Sequence, residues 1–385
     1  MKHFVTVFPP AENVDFVKDK GQIAYQMQKH LGYKSTMVCC RNSPDYPYIN
    51  SEVPGLNVEF IENAKPTFFW NNAILSYIWR EAQSIDVLNL YYLVQESLLY
   101  GLLYKFRNPD GVLYLKMDMN VNIYKKVGLQ FSENYFKDQV HLKMYKLFKK
   151  KIDVVSVESN RAFNLLHHLD SQLAEKTIRL PNGLDFQQGW GQMGDNLYSK
   201  KENIILSVGR IGSKSKNNEF LLRALEGINL QNWEVYFVGP VAEEFEPKIE
   251  SFFKRNPSLK EHVFFTGKVQ DRQKLKTYYA RAKIFCLPSR WEAFPLVLLE
   301  ALSAGNYIIG TDRISSIEEI TQDEKIGSIV ELDNAEQLQQ ILKKTMEPEF
   351  YTRKLMETII SHAREYDWPR VLKKLDTAIK KCMRK

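Results

Sequence analysis

The chain is predicted to be an α/β protein with two doubly wound domains, each built on a parallel sheet. Three observations carry this. Short apolar, β-rich runs recur along all 385 residues, amphipathic helix-length segments separate them, and runs such as NIILSVG and KIFCLP are continuously apolar rather than alternating. Continuously apolar strands are covered on both faces, and strands that alternate with helices pair in parallel. At roughly 150 residues per domain, the length accommodates two or three domains with a full core in each.

In the first half the strand-like runs are His3 to Phe8, Ser35 to Cys40, Asp86 to Leu90, Val112 to Asp118 and Asp153 to Val157. In the second half they are Asn203 to Gly209, Trp233 to Gly239, His262 to Gly267, Lys283 to Pro288, Tyr307 to Thr311 and Ser328 to Leu332. Between the two series lies LPNGLDFQQGWGQMGDNLYSKKEN, residues 180–203, with four glycines and little periodicity, which reads as an interdomain connection. A helical stretch runs from about Pro348 to the end. Two Rossmann-like domains with a cleft between them are therefore expected at 1–190 and 191–365, with residues 366–385 as a closing helix. Ligands of such sheets bind beyond the carboxyl ends of the strands, so residues at strand ends carry the functional information.

Composition removes several classes. Hydrophobic residues at 44%, charged at 26% and aromatic at 12% exclude wholesale disorder, collagen and coiled coil. The net charge of +7, from 53 Lys and Arg against 46 Asp and Glu, is too small to argue for nucleic acid, and none is expected. Cys39, Cys40, Cys286 and Cys382 lack the paired spacing of a zinc site, and the histidines, including His167 and His168, show no ligand spacing. A reduced, cytoplasmic chain without a metal is the expectation. No window of about 18 apolar residues occurs, and the start MKHFVTVFPPAENVDF runs straight into prolines and acids, so neither a membrane span nor a signal peptide is expected.

The most informative segment is KIFCLPSRWEAFPLVLLEALSAGNYIIGT, residues 283–311. A strand ends at Pro288, a loop carries Glu292, and a helix is predicted to start with Pro295 at its first position and stop before Gly305. That start leaves the N–H groups of Phe294, Leu296 and Val297 without helical partners, where an anion could sit. Glu292 and Glu300 are acceptors suited to sugar or ribose hydroxyls; equally, two glutamates near a helix start complement its dipole. The second segment is SVGRIGSKSKN, residues 207–217, where a strand ends at Gly209 and releases Arg210, Lys214 and Lys216. A guanidinium and an ammonium there can clamp a pyrophosphate, and the same residues also suit a solvated basic loop.

Together these segments resemble the retaining glycosyltransferases of the GT-B fold known as glycosyltransferase family 4. Arg210 and Lys216 match the family's Gly-Arg then Lys pattern, and Glu292 and Glu300 its E-x7-E pattern. PNGLD at 181–185, FTGKV at 265–269, LPS at 287–289 and DW at 367–368 match as well; the likeness is dense from about 178 to 312 and thin before it. The resemblance implies transfer of a hexose-type sugar from a nucleoside diphosphate sugar, a UDP-sugar being favoured, with retention and without metal or cofactor. The acceptor would be a hydroxyl of a glycan, a glycolipid or a protein-linked acceptor, in polysaccharide or glycoconjugate synthesis. It implies an acceptor-binding first domain, a donor-binding second domain, and a last helix crossing back to the first. Gly209, Arg210, Lys216 and the amides near Phe294, Pro295, Leu296 and Val297 would meet the diphosphate. Glu300 would take the ribose, Glu292 would lie near the donor sugar, and Gly267, Lys268 and Val269 would line the base.

The chain departs from the family in two places. Where members often carry Glu-Gly-Phe-Gly it has Glu292, Ala293, Phe294 and Pro295, which removes one backbone donor. The glycine-rich first loop is reduced to Lys20 and Gly21, so Gly21 is either a donor contact or a turn requirement. Asp118, at the end of VLYLKMD, could orient a hydroxyl of acceptor or donor as a catalytic residue, or serve as a cap. Finally, residues 132–155 interleave six lysines with aromatic and aliphatic residues on a predicted helix, which either leaves its lysines in water or meets an anionic membrane surface. Two rival readings are a GT-B nucleotide-sugar 2-epimerase and a non-catalytic glycosyltransferase-like partner.

Overall fold

The computed structural model describes residues 1–62, 70–122, 136–188 and 196–384. The chain forms two compact units, one made of Met1–Asn182 with Trp368–Lys385 and the other of Gly183–Asp367. Each is a doubly wound α/β unit, as the alternation of apolar strands and helices predicts.

The first unit contains β1 (His3–Val7), β2 (Lys34–Cys40), β3 (Asn57–Ile61), β4 (Val87–Tyr91), β5 (Val112–Met117), β6 (Val154–Val157) and β7 (Thr177–Arg179). They lie in the order β3-β2-β1-β4-β5-β6-β7, all pairs parallel. Successive side chains of a strand point to opposite faces, and here they enter separate cores. Val5, Val7, Leu88, Leu90, Leu113 and Leu115 pack under the helices Asn72–Glu81, Gln95–Arg107 and Phe136–Lys151. Phe4, Val87, Val112 and Tyr114 pack under Asp19–Leu31 and Trp368–Cys382. Strands covered on both faces must be apolar throughout, which is why β4 and β5 are buried at every position.

The second unit contains β8 (Glu202–Val208), β9 (Glu234–Val238), β10 (Val263–Phe265), β11 (Ala282–Leu287), β12 (Tyr307–Thr311) and β13 (Gly327–Val330). The order is β10-β9-β8-β11-β12-β13, again all parallel. In both sheets the winding direction reverses between the first strand and the fourth, at β1/β4 and at β8/β11. Those reversal points open a crevice at the carboxyl ends of the strands.

Two strands escape the sequence reading, β3 and β7, and both are edges. β3 is nowhere fully buried and carries polar residues, and β7 has three residues, so neither leaves a continuous apolar run. The junctions also fall differently from 190 and 365. The Leu184 N–H donates to the Tyr366 carbonyl at 2.9 Å and Leu184 bridges Asp367, which draws residues 183–190 and 366–367 into the second unit.

The last helix completes the first unit. Trp368, Leu372, Leu375 and Ile379 are buried against the Phe4 and Tyr33 side of the sheet, and the Tyr33 hydroxyl donates to Asp376 at 2.8 Å. Trp368 is 1% exposed, so Trp368→Ala removes a large buried ring. The expected cost is about 3–5 kcal/mol, read as a shift of the first unit's transition in urea unfolding.

Candidate active site

At the β8/β11 reversal three strand ends form a backbone shelf. The Gly209 N–H donates to Val238 O at 3.0 Å, and the Gly239 N–H donates to Gly267 O at 3.1 Å. Gly239 has φ +144°, and a Cβ there would lie 1.8 Å from the Gly209 carbonyl oxygen, so only glycine fits. Gly267 has φ +68°, and a Cβ there would meet nothing within 4 Å. The exposed Lys268 and half-buried Val269 follow it in the loop. The sequence reading named Gly209 and Gly267 and missed Gly239, although it closes an apolar strand in the same way.

From this shelf residues 210–217 run out as a compact loop. Ser213 donates through its N–H and its hydroxyl to Arg210 O, and the Lys216 N–H donates to Ser213 O at 3.1 Å. The stem of Lys216 crosses Gly209, with Cε 3.2 Å from where a Gly209 Cβ would be. Its Nζ ends 2.6 Å from Glu292 Oε1, which also accepts from the Ser289 hydroxyl at 3.2 Å. The Arg290 N–H donates to Ser215 O at 2.8 Å and ties the two loops together. Glu292 is fixed from behind, since its carbonyl accepts the Ser315 N–H at 2.9 Å. Lys216 and Glu292, 76 positions apart in sequence, thus form one half-buried pair. Arg210 and Lys214 lie on the same loop as Lys216, exposed and without an ion pair among the described residues.

The helix after Glu292 spans Leu296–Ser303, with Pro295 at its N-cap (φ −72°, ψ 124°) rather than at its first position. The extended ψ of Pro295 delays the first turn by one residue. The first capping bond runs from the Leu298 N–H to Pro295 O at 3.1 Å, which leaves the Leu296 and Val297 N–H groups outside the helical ladder. The Phe294 side chain turns inward, 4% exposed and 5.7 Å from the Tyr366 ring.

Glu300 is 6% exposed and held by partners the sequence reading missed. The Tyr279 hydroxyl donates to Oε2 at 2.8 Å, and Arg272 lies 3.6 Å from Oε1. Both come from the helix Arg272–Arg281, seven positions apart and so on one face. Burial and the adjacent carboxylate drive the Tyr279 phenol well above its usual pKa, so it stays a donor. Lys201 and Asn306 each donate to the carbonyls of Tyr279 and Ala282, pinning the end of this helix. Burial holds the Lys201 ammonium well below its usual pKa.

In the first unit, Asp118 lies just beyond β5, half-buried and 4.0 Å from Lys20. Behind it sits a charge cluster that the sequence reading missed. Lys116, 0% exposed near the end of an apolar strand, pairs with Glu158 at 2.5 Å and lies 3.4 Å from Asp19, which also pairs with Lys20 at 3.0 Å. Burial pushes Glu158 up to about 7 against the pull of Lys116, whereas for Asp19 the two ammonium groups outweigh burial and hold it below the usual carboxylate value. Gly21 is a buried third residue of the helix that opens at Asp19, and a Cβ on it would lie 2.7 Å from Phe16 Cα. The glycine is therefore required for helix packing. At the β1/β4 reversal a cavity of about 420 Å³ is lined by Phe8, Asn42, Asn71, Tyr91, Tyr92 and Tyr100, among others. Among the described residues no group of three or more His, Cys, Asp and Glu is placed to hold a metal ion.

The sequence model of the glycosyl transferases group 1 family matches residues 191–366. This stretch is a group 1 glycosyltransferase domain. It contains the Gly209 shelf, the Lys216–Glu292 pair and the clamped Glu300. Among curated relatives, a Campylobacter jejuni protein is 25% identical over 328 residues, 83% of this chain and 85% of the relative. That protein is an N-acetylgalactosamine-N,N'-diacetylbacillosaminyl-diphospho-undecaprenol 4-alpha-N-acetylgalactosaminyltransferase. A phosphatidyl-myo-inositol mannosyltransferase of Mycobacterium leprae is 24% identical over 199 residues and is matched over 51% of its length. The crystal structure of Anabaena HepE in complex with UDP-glucose superposes with a TM-score of 0.72 at 14% identity, covering 99% of this chain and 100% of that one. The group 1 domain and the first unit thus have the two Rossmann-like parallel-sheet units of the GT-B fold.

Within the first unit, removing one partner of the buried Lys116–Glu158 pair strands a charge. Lys116→Met is expected to cost about 3–5 kcal/mol, and Lys116→Met with Glu158→Met to recover most of it, as measured by denaturant unfolding.

Proposed function

We propose that the chain is a retaining, metal-independent hexosyltransferase that moves a sugar from a nucleoside diphosphate sugar to a hydroxyl of a glycan or lipid-linked glycan. The observation that carries this is the Lys216–Glu292 pair, set over the Gly209 shelf at the β8/β11 reversal, with Arg210 following Gly209, exposed and without an ion pair among the described residues. Lys216 has three ammonium donors and spends one on Glu292, which leaves two for diphosphate oxygens. Arg210 adds a planar fork, and the Leu296 and Val297 N–H groups add neutral donors. These groups neutralise the departing diphosphate without a divalent ion.

In this reading Glu300, oriented by Tyr279 and Arg272, accepts from the ribose hydroxyls, and the backbone of Gly267, Lys268 and Val269 lines the base. The half-buried Glu292 carboxylate stands near the donor sugar. UDP is the favoured nucleoside diphosphate, supported by the UDP-glucose in the Anabaena neighbour. The acceptor enters the aromatic cavity of the first unit, and Asp118 orients its hydroxyl. As the bond from the anomeric carbon to the phosphate oxygen breaks, the acceptor oxygen bonds to the same face. Its proton passes to the phosphate oxygen that leaves. The protein contributes position and charge. A lipid-linked acceptor is supported by the diphospho-undecaprenol in the name of the Campylobacter relative; in this reading the chain works at a membrane surface, on its cytoplasmic face.

The test is calorimetric titration with UDP, GDP, ADP and TDP, with and without EDTA. One diphosphate is expected to bind without metal, and to lose binding in Arg210→Ala and Glu300→Ala. Failure of all four to bind, or a strict need for Mg²⁺, would sink the site assignment. Turnover that rearranges the sugar and frees the nucleotide without an acceptor would instead indicate an epimerase. For transfer, Lys216→Ala is expected to lower kcat/KM by about 10²–10³, the usual effect of losing one well-aimed donor, measured with a soluble acceptor analogue.

A further inference from the structure

Three helices of the first unit, Asn72–Glu81, Gln95–Arg107 and Phe136–Lys151, lie side by side over one face of its sheet. The middle helix meets the third closely, because a Cβ on Gly101 would lie 2.6 Å from the Phe148 ring, and Gln95 bonds His141 at 3.0 Å. Their inner sides carry the core through residues such as Ile78, Leu98, Tyr104 and Phe148. The outer sides of such helices are normally polar. Here they are not.

Trp79 is 46% exposed and Phe106 73%, their rings stacked with centroids 6.4 Å apart, and Arg107 lies 4.4 Å over Trp79. Val94, just before the second helix, and Val140 and Leu147, on the third, are also exposed. Of the seven large apolar side chains exposed among the described residues, these make five; Met1 and Val14 are the others. Between them Lys143, Lys146, Lys150 and Lys151 are exposed and make no ion pair among the described residues. By sequence the three helices hold nine Lys and Arg against three acids, a net +6, whereas residues 1–190 as a whole carry 22 against 19. The first unit as a whole, residues 1–182 with 368–385, carries 29 Lys and Arg against 19 acids, and its positive charge is divided between this face, where apolar side chains are uncovered, and residues 368–385.

We propose that this three-helix face docks on an anionic lipid bilayer, with Trp79 and Phe106 seated at the headgroup level and the four lysines over lipid phosphates. Trp and Phe prefer that boundary, and long lysines extend along it while keeping their charge at the headgroups. Self-association is disfavoured, because pairing two copies of this face would bring eight lysines together. The inference deepens the proposed reading, since it supplies the surface from which a lipid-linked acceptor would be presented.

The test is co-sedimentation of the full chain with vesicles of phosphatidylcholine alone and of phosphatidylcholine with phosphatidylglycerol, at low and high salt. Binding is expected on the anionic vesicles only, and to fall as salt rises. Trp79→Ser with Phe106→Ser is expected to weaken it about tenfold with the salt dependence kept. Lys143→Glu with Lys146→Glu and Lys150→Glu is expected to abolish it. All these positions are exposed, and unchanged thermal unfolding checks that the variants fold. Absence of binding to anionic vesicles at low salt overturns the proposal, as do variants that bind like the parent. A dimer seen by sedimentation velocity, lost in Trp79→Ser with Phe106→Ser, would assign the face to self-association instead. Calorimetry with UDP on the same preparations separates the two readings. Nucleotide binding without vesicle binding removes only the membrane surface, and the converse removes only the transferase site.

Discussion

The backbone contact between Gly239 and Gly209 is the constraint on which the group 1 site depends. With a carbonyl oxygen where a Cβ would be, β8 and β9 stay paired to their last residues. The 210–217 loop therefore leaves the sheet low and close. Had the strand ends splayed, Lys216 would start farther from β11, and its ammonium could not both lie across Gly209 and reach Glu292. The bond from the Arg290 N–H to Ser215 O belongs to the same construction. The site is thus set by main chain first and side chains second, which suits a ligand recognised chiefly through phosphate oxygens and hydroxyls.

The two units handle charge in opposite ways. In the second, Lys216 and Glu292 keep 16% and 19% of their side-chain surface in contact with solvent, so a ligand can take up part of the pairing at small desolvation cost. In the first, Lys116, Asp19 and Glu158 are sealed from water and neutralise one another. A buried network of this kind adds little net stability over an apolar core, but it admits few alternative arrangements. It supports Lys20 and Asp118 at its edge, where the first unit opens.

Much of this was legible in the sequence because the informative patterns are local. Strand runs, the glycine after β8, and the two glutamates around a short helix all declare themselves within about ten residues. What stayed hidden is non-local or marginal. Lys116 and Glu158 are 42 positions apart, and a lysine inside VLYLKM looks like a strand end until its partner is seen. Tyr279 and Arg272 reach Glu300 from a polar helix with no motif of its own. Gly21 reads as a phosphate loop by position, whereas its surroundings require it for contact with Phe16. Edge strands β3 and β7 bury too little to leave a pattern, and Pro295 sits one position from its expected place because an extended ψ turns a first residue into a cap.

The passage between units at Leu184 and Tyr366 has a consequence for how the chain is made. The second unit is one uninterrupted stretch, Gly183–Asp367, whereas the first is split around it. During synthesis residues 1–182 emerge with the bed for Trp368, beside Phe4 and Tyr33, still uncovered, and it is filled only after the whole second unit has been translated. The unit that begins first is therefore finished last. Its exposed β-rich intermediate persists for the time needed to add some 185 residues, on the order of ten to forty seconds at ordinary elongation rates.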